Sequence, residues 1–142
     1  MSRAMLMTVL ARYGGVDTSG GESWFSKGVA WAAASGISSG EYPDADLTRE
    51  QLVTMLWRYV GEPDSTQSLA DFPDAASAGK YAVPALQWAV EKGILTGKRG
   101  NLLDPKAPAT RAEVAAILTR FCEWEKEKQA ERPPDFPAPK SM

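Results

Sequence analysis

Histidine is absent from this chain of 142 residues, and cysteine occurs once, as Cys122. Without histidine there is no histidine-assisted nucleophile. With a single sulfur there is no internal disulfide and no zinc site built from His and Cys. The sequence implies neither a metal nor a cofactor. No apolar stretch approaches the ~20 residues of a membrane-spanning helix, so membrane insertion is not expected. No run of Lys or Arg suggests a basic arm for nucleic acid. Sixteen basic residues against eighteen acidic ones leave a net charge of −2, so any site for an anion has to be local. The opening "MSRAMLMTVLA" imitates a short signal peptide, but the same residues fit a repeat better.

What is present is ordinary globular composition, 44% hydrophobic and 24% charged, arranged periodically. "SRAMLMTVLARY" at 2–13, "TREQLVTMLWRY" at 48–59 and "TRAEVAAILTRF" at 110–121 align without a gap. Apolar positions coincide at Leu6, Val9, Leu10 and Tyr13, at Leu52, Met55, Leu56 and Tyr59, and at Val114, Ile117, Leu118 and Phe121. Steps of three and four mark one face of a helix. Three such stripes predict an all-α fold around a central three-helix bundle. Arg12, Arg58 and Arg120 fall a turn past the stripe and read as solvated edges or internal pairs.

Between these copies lies a second repeated unit. "WFSKGVAWAAASGISSG" at 24–40 aligns at a constant offset of 57 with "YAVPALQWAVEKGILTG" at 81–97. Each reads as a short helix closed by a left-handed glycine, with the next isoleucine packing back. Pro84 suits a first helical turn. The connectors differ: Leu102 and Leu103 are expected to anchor the segment 97–110, which the shorter 40–48 lacks, and Phe72 is expected to plug the loop 61–80. Beyond residue 124, charges extend the last helix before Pro-rich sequence begins, so 125–142 reads as a linker or tail.

The start of the second copy raises a question of charge. Thr48 with Gln51, and Thr110 with Glu113, have capping-box spacing. Arg49 and Arg111 then sit in first turns, where the macrodipole disfavours a cation by ~0.3–1 kcal/mol. Arg3 takes the same place in the first copy, where Ser2 and Met5 leave only half a box. One reading is a solvated arginine, or one paired with an Asp or Glu of the next unit, with Asp44, Asp46 and Asp104 as available partners. The other is an anion site, made of free helix-start N–H groups and a guanidinium fork. Trp31 and Trp88 read as core or as groove.

The alternation of "W…A…GI…G" with "TRAE" resembles the S-layer homology domain, which occurs in tandem threes on bacterial surface proteins. "FPDAASAGKYAVPALQWAVEKGILTG" followed by "LDPKAPATRAEVAAILTRF" matches best, "YPDADLTREQLVTMLWRY" is a decayed second copy, and "SRAMLMTVLARY" is the C-terminal half of a first. The resemblance covers residues 1–124, divided as 1–15, 16–61 and 62–124. It implies a pseudo-threefold spindle of three central helices with short peripheral prong helices. The implied role is non-catalytic anchoring to a Gram-positive-type envelope, extracellular and cell-wall associated. The implied partner is an anionic secondary cell-wall polysaccharide, often pyruvylated. Carried over by position, the groove residues are Arg3, Arg49 and Arg111, with Trp31 and Trp88, and Gly40 and Gly97. The glycines would let backbone approach the ligand. The groove of Arg3 is expected to be the weakest. The competing expectation is a structural protein–protein or oligomerisation module within a larger surface protein, using Trp57 and Trp124.

Overall fold

A computed structural model describes residues 1–98 and 100–130. Five α-helices follow in order: α1 (Arg3–Tyr13), α2 (Ser26–Ala34), α3 (Arg49–Tyr59), α4 (Val83–Glu91) and α5 (Arg111–Ala130). Short 3-10 turns at Ala75–Ser77 and Lys80–Ala82 lead into α4. The described residues form no sheet, only isolated bridges. The Pro-rich part of the expected tail, 131–142, lies outside the described residues.

The helix starts are closed by side chains. Thr48 Oγ1 accepts the Gln51 N–H at 3.3 Å while Gln51 Oε1 accepts the Thr48 N–H at 3.0 Å. Thr110 and Glu113 repeat that exchange at 3.1 and 2.9 Å, whereas Ser2 caps α1 from one side only, accepting from Met5. Each such cap stabilises its helix by about 1 kcal/mol. The short helices end alike. Gly36 and Gly93 have φ of +74° and +70°, and the next residues turn back, with Ile37 N–H donating to Ala32 O and Ile94 N–H to Ala89 O, both at 2.9 Å. Both isoleucines are thereby buried.

α2 packs along α1 and α4 along α3. The α1–α2 contact is close because α2 carries Gly28 where α4 carries Ala85: a Cβ on Gly28 would lie 2.6 Å from Thr8 Oγ1 and 2.8 Å from Thr8 Cα. Tyr13 and Tyr59, the last residues of α1 and α3, meet Phe121 midway along α5, and the three ring centroids stand 6.0 to 6.4 Å apart in a triangle. These three residues hold the same place in the aligned copies. The core gathers Leu6, Leu10, Leu52, Leu56, Val114 and Ile117 around this cluster, each large side chain contributing about 1.5–3 kcal/mol before conformational entropy is set against it.

Several expectations of burial are corrected. Val9 and Tyr13 are 39% and 41% exposed. Met55 and Ile117, the counterparts of Val9, are covered because Ile37–Ser39 and Leu95–Thr96 share their cavities; among the described residues no equivalent segment covers α1. Of the expected anchoring pair, Leu103 is fully buried and Leu102 exposed. The loop is held mainly by Asp74, whose carboxylate accepts the N–H groups of Leu103 and Asp104 at 2.9 and 2.8 Å. Phe72 packs against the core. Trp57 and Trp124 are half-buried against it, with Trp57 Nε1 donating to Pro63 O, so neither indole is an open contact surface.

Candidate functional site

Two cavities lie at corresponding places. One, of about 320 Å³, is walled by Arg3, Ser38, Gln51, Arg58 and Tyr81 among others. The second, of about 280 Å³, is walled by Arg49, Thr96, Lys98, Glu113 and Arg120 among others. In the aligned copies Arg3 matches Arg49, Gln51 matches Glu113 and Arg58 matches Arg120. Ser38 and Thr96 both come from the segment after a short helix. Each groove thus takes an arginine from one helix start, a tip from the following short helix, and a face of the next long helix.

The helix-start N–H groups do not face these grooves. In α3 the Arg49 and Glu50 N–H groups donate to Ala107 O and Pro105 O, both at 3.0 Å. In α1 those of Arg3 and Ala4 donate to Ala45 O and Pro43 O at 3.0 and 2.9 Å. The accepting loops have one shape: Tyr42 and Asp104, which precede the two prolines, have φ of 51° and 49°. The expected anion site built on free backbone donors is therefore closed at α1 and α3, because loop carbonyls already satisfy those donors.

What remains is the arginine side chains, and they differ. Arg49 is only 4% exposed. Its Nε donates to Leu103 O at 2.8 Å and Nη2 to Thr96 O at 3.4 Å, while Nη1 pairs with Glu113 Oε2. Lys98 Nζ stands 3.2 Å from the same oxygen and 2.9 Å from Asp104. Burial raises the Glu113 pKa, but hydrogen bonds from Thr110 and Lys98 and the charge of Arg49 outweigh it and hold the carboxyl at about 2. Arg3 is half-buried; its Nη2 donates to Ser38 Oγ at 3.1 Å and its Nε is buried without a partner. Arg58 Nη1 donates to Ile37 O at 3.2 Å. Tyr81, 46% exposed, covers Glu50, which is itself 1% exposed and accepts from Gly79 N–H at 3.1 Å and Lys106 Nζ at 3.2 Å. Burial, then the hydrogen bond to Glu50, pushes the Tyr81 phenol above its usual range.

The remaining sequence candidates are dispersed. Trp88 is fully buried, edge-on to Phe121 and to Trp124 at 6.4 and 5.2 Å; it is a core residue and cannot stack on a ligand. Trp31 is half-buried against Tyr59, 6.1 Å between centroids. Gly97 lines the second cavity, yet the space beside its Cα is taken by Asn101 Oδ1, 2.6 Å from where a Cβ would stand. Gly40, at φ +79°, faces Val29. Both glycines admit the chain's own packing. Arg111 is exposed and walls neither cavity. Sequence reasoning missed Arg58, Arg120, Tyr81 and Ser38 as groove residues. The recurrence of arginine nine places after each motif arginine was the available signal for the first two. Among the described residues no group of three or more His, Cys, Asp or Glu could hold a metal, and no helix is long and apolar enough to cross a membrane.

Residues 71–115 match the family model of the S-layer homology domain. That span contains α4, the tip that walls the second cavity, and the start of α5. The chain is 30% identical over 113 residues to a surface-layer 125 kDa protein of Lysinibacillus sphaericus, covering 72% of this chain and 9% of that protein. It is 28% identical over 103 residues to the exoglucanase XynX of Acetivibrio thermocellus, and 28% over 103 residues to an amylopullulanase of Thermoanaerobacterium thermosulfurigenes. Those matches cover 67% of this chain and 10% and 6% of the two enzymes. A stretch of more than 100 residues thus recurs as a small fraction of a surface-layer protein, an exoglucanase and an amylopullulanase, and with residues 71–115 matching the family model, this chain belongs to the S-layer homology domain family.

Proposed function

We propose that this chain is a non-catalytic module that holds a larger protein at the bacterial cell surface by binding an anionic secondary cell-wall polysaccharide, pyruvylated in its anionic groups. Residues 1–124 act as related units, 1–15, 16–61 and 62–124, and the two grooves receive the polymer. The observation that carries this reading is the pair of corresponding cavities, each walled by two arginines from different helices. A guanidinium fork suits a carboxylate, and clefts of this size suit one or two sugar rings. The similarity to a surface-layer protein and to small fractions of two differently named enzymes supports a shared anchoring segment rather than shared catalysis.

The test is sedimentation of the purified chain with cell-wall polymer from a Gram-positive-type envelope. The protein should pellet with the polymer, and less of it as salt rises, because a few charge contacts are screened. A chain that stays in the supernatant at low salt overturns the reading.

A second reading, a protein-packing module, is favoured by one observation: Met5, Val9 and Tyr13 stand 44%, 39% and 41% exposed along α1. Light scattering across a concentration series distinguishes it. A concentration-dependent dimer without polymer affinity supports packing, and a monomer that binds polymer supports anchoring.

A further inference from the structure

The two grooves share a plan but not a charge arrangement. Every nitrogen of the Arg49 guanidinium has a protein acceptor, and the acceptor facing the second groove is the carboxylate of Glu113. Lys98, on the same wall, is held between Glu113 and Asp104. Among the cations of that groove, Arg120 alone has no carboxylate beside it among the described residues. In the first groove the place of Glu113 is taken by Gln51. Its Oε1 accepts from the Thr48 N–H, which leaves the amide NH2 as a donor in the groove wall. No described carboxylate pairs with Arg3 or Arg58. Arg3 makes one bond, to a serine hydroxyl, and keeps a buried Nε without a partner. The nearby Glu50 lies behind Tyr81 and is paired with Lys106.

We infer that Gln51 and Glu113 set the specificity of the two grooves: the Arg3 groove binds the carboxylate of an acidic sugar, and in the Arg49 groove Glu113 already occupies the place such a carboxylate would take. This rests on the polysaccharide-binding reading above and reverses the expected order of the grooves. An incoming carboxylate at Arg3 gains two guanidinium groups with unused donors and an amide. At Arg49 it would have to displace a bonded internal carboxylate and would meet its repulsion.

The experiment is titration of the full chain with purified cell-wall polymer, comparing the parent with Gln51→Glu and Glu113→Gln. Glu at position 113 already caps its helix in this fold, so Gln51→Glu keeps the capping box and places a carboxylate beside Arg3. It should weaken binding at least tenfold, whereas Glu113→Gln, checked by circular dichroism to be folded, should bind more tightly than the parent, because the Arg49 groove is then open to a carboxylate. Arg58→Gln, on the groove edge, should weaken binding about as much as Gln51→Glu and serves if that variant fails to fold. Parent binding that Gln51→Glu and Arg58→Gln leave unchanged overturns the inference while the anchoring reading stands; a parent that binds no polymer overturns both. Removal of pyruvate ketals by mild acid, or reduction of uronic carboxyls, identifies the source of the carboxylate. Binding that survives both treatments overturns the inference.

Discussion

Glu113 on the first turn of α5 pairs through Oε2 with the guanidinium of Arg49 on the first turn of α3, while its Oε1 caps its own helix by accepting the Thr110 N–H. One carboxylate thereby closes a helix start and ties two helices together. Its arginine also collects the carbonyls of Leu103 and Thr96 from the loop between α4 and α5. The cation in a first turn, disfavoured on local grounds, is compensated by a partner far along the chain.

Truncating Arg49 therefore acts on stability. In Arg49→Ala, Glu113 keeps Lys98 and Thr110, but two carbonyls lose their donor in a nearly dry place and Glu113 Oε2 loses one of its two cationic partners. Removing one member of a buried pair costs about 3–5 kcal/mol. Because Glu113 is 19% exposed, the expected loss is ~3 kcal/mol, read as a lower urea midpoint. Arg49→Lys should recover little of it, since an ammonium cannot serve three acceptors in the plane of a fork.

Acid should find the same joint. The Glu113 carboxyl is held at about 2 against 4.5 for the free group. A depressed native pKa stabilises fully above the unfolded value and loses that contribution as pH falls through the native one. Urea midpoints should therefore decline between pH ~4.5 and ~2, and Glu113→Gln, already lacking the charge, should show a shallower decline over that window. An equal slope in both proteins would assign acid sensitivity elsewhere.

The helices were legible because their signals are local: apolar spacing, Thr with Gln or Glu three residues on, and glycine past the last turn. The closure of the helix starts was not, although "YPDADLT" and "DPKAPAT" carry it in plain view. Their shared proline and alanine supply the carbonyls for Arg3, Ala4, Arg49 and Glu50, and only the fold brings those carbonyls within reach. That Arg49 could pair with an acid of the next unit was legible, but not which one: Glu113 reads from its spacing only as a cap, and it lies 64 residues away. Trp88 could not be sorted between core and groove from a helix pattern, because Phe121 and Trp124, which cover it, come from α5.

Gly28→Ala sets two effects against each other. Within a helix, Ala is favoured over Gly by about 1 kcal/mol. Here the new Cβ meets Thr8, with a backbone carbon at 2.8 Å that cannot rotate away, so α2 must move off α1. Overpacking of this kind costs about 1–3 kcal/mol, and the net effect expected in thermal melts is destabilisation. A stabilised variant would mean that α2 shifts freely, and that the close α1–α2 contact is not required.

Trp88 provides a separation of core from groove. Trp88→Ala removes a fully buried indole from between two aromatic neighbours, and truncations of this size cost about 3–5 kcal/mol. Trp88→Phe keeps most of the apolar volume and should cost less. It also removes an indole N–H that has no partner in the core, so no hydrogen bond is lost with it. If the indole is core alone, folded Trp88→Phe binds cell-wall polymer as the parent does, while its unfolding midpoint falls. A loss of polymer affinity at unchanged stability would instead place the indole at the ligand, and would require the short helix α4 to move away from α5 on binding.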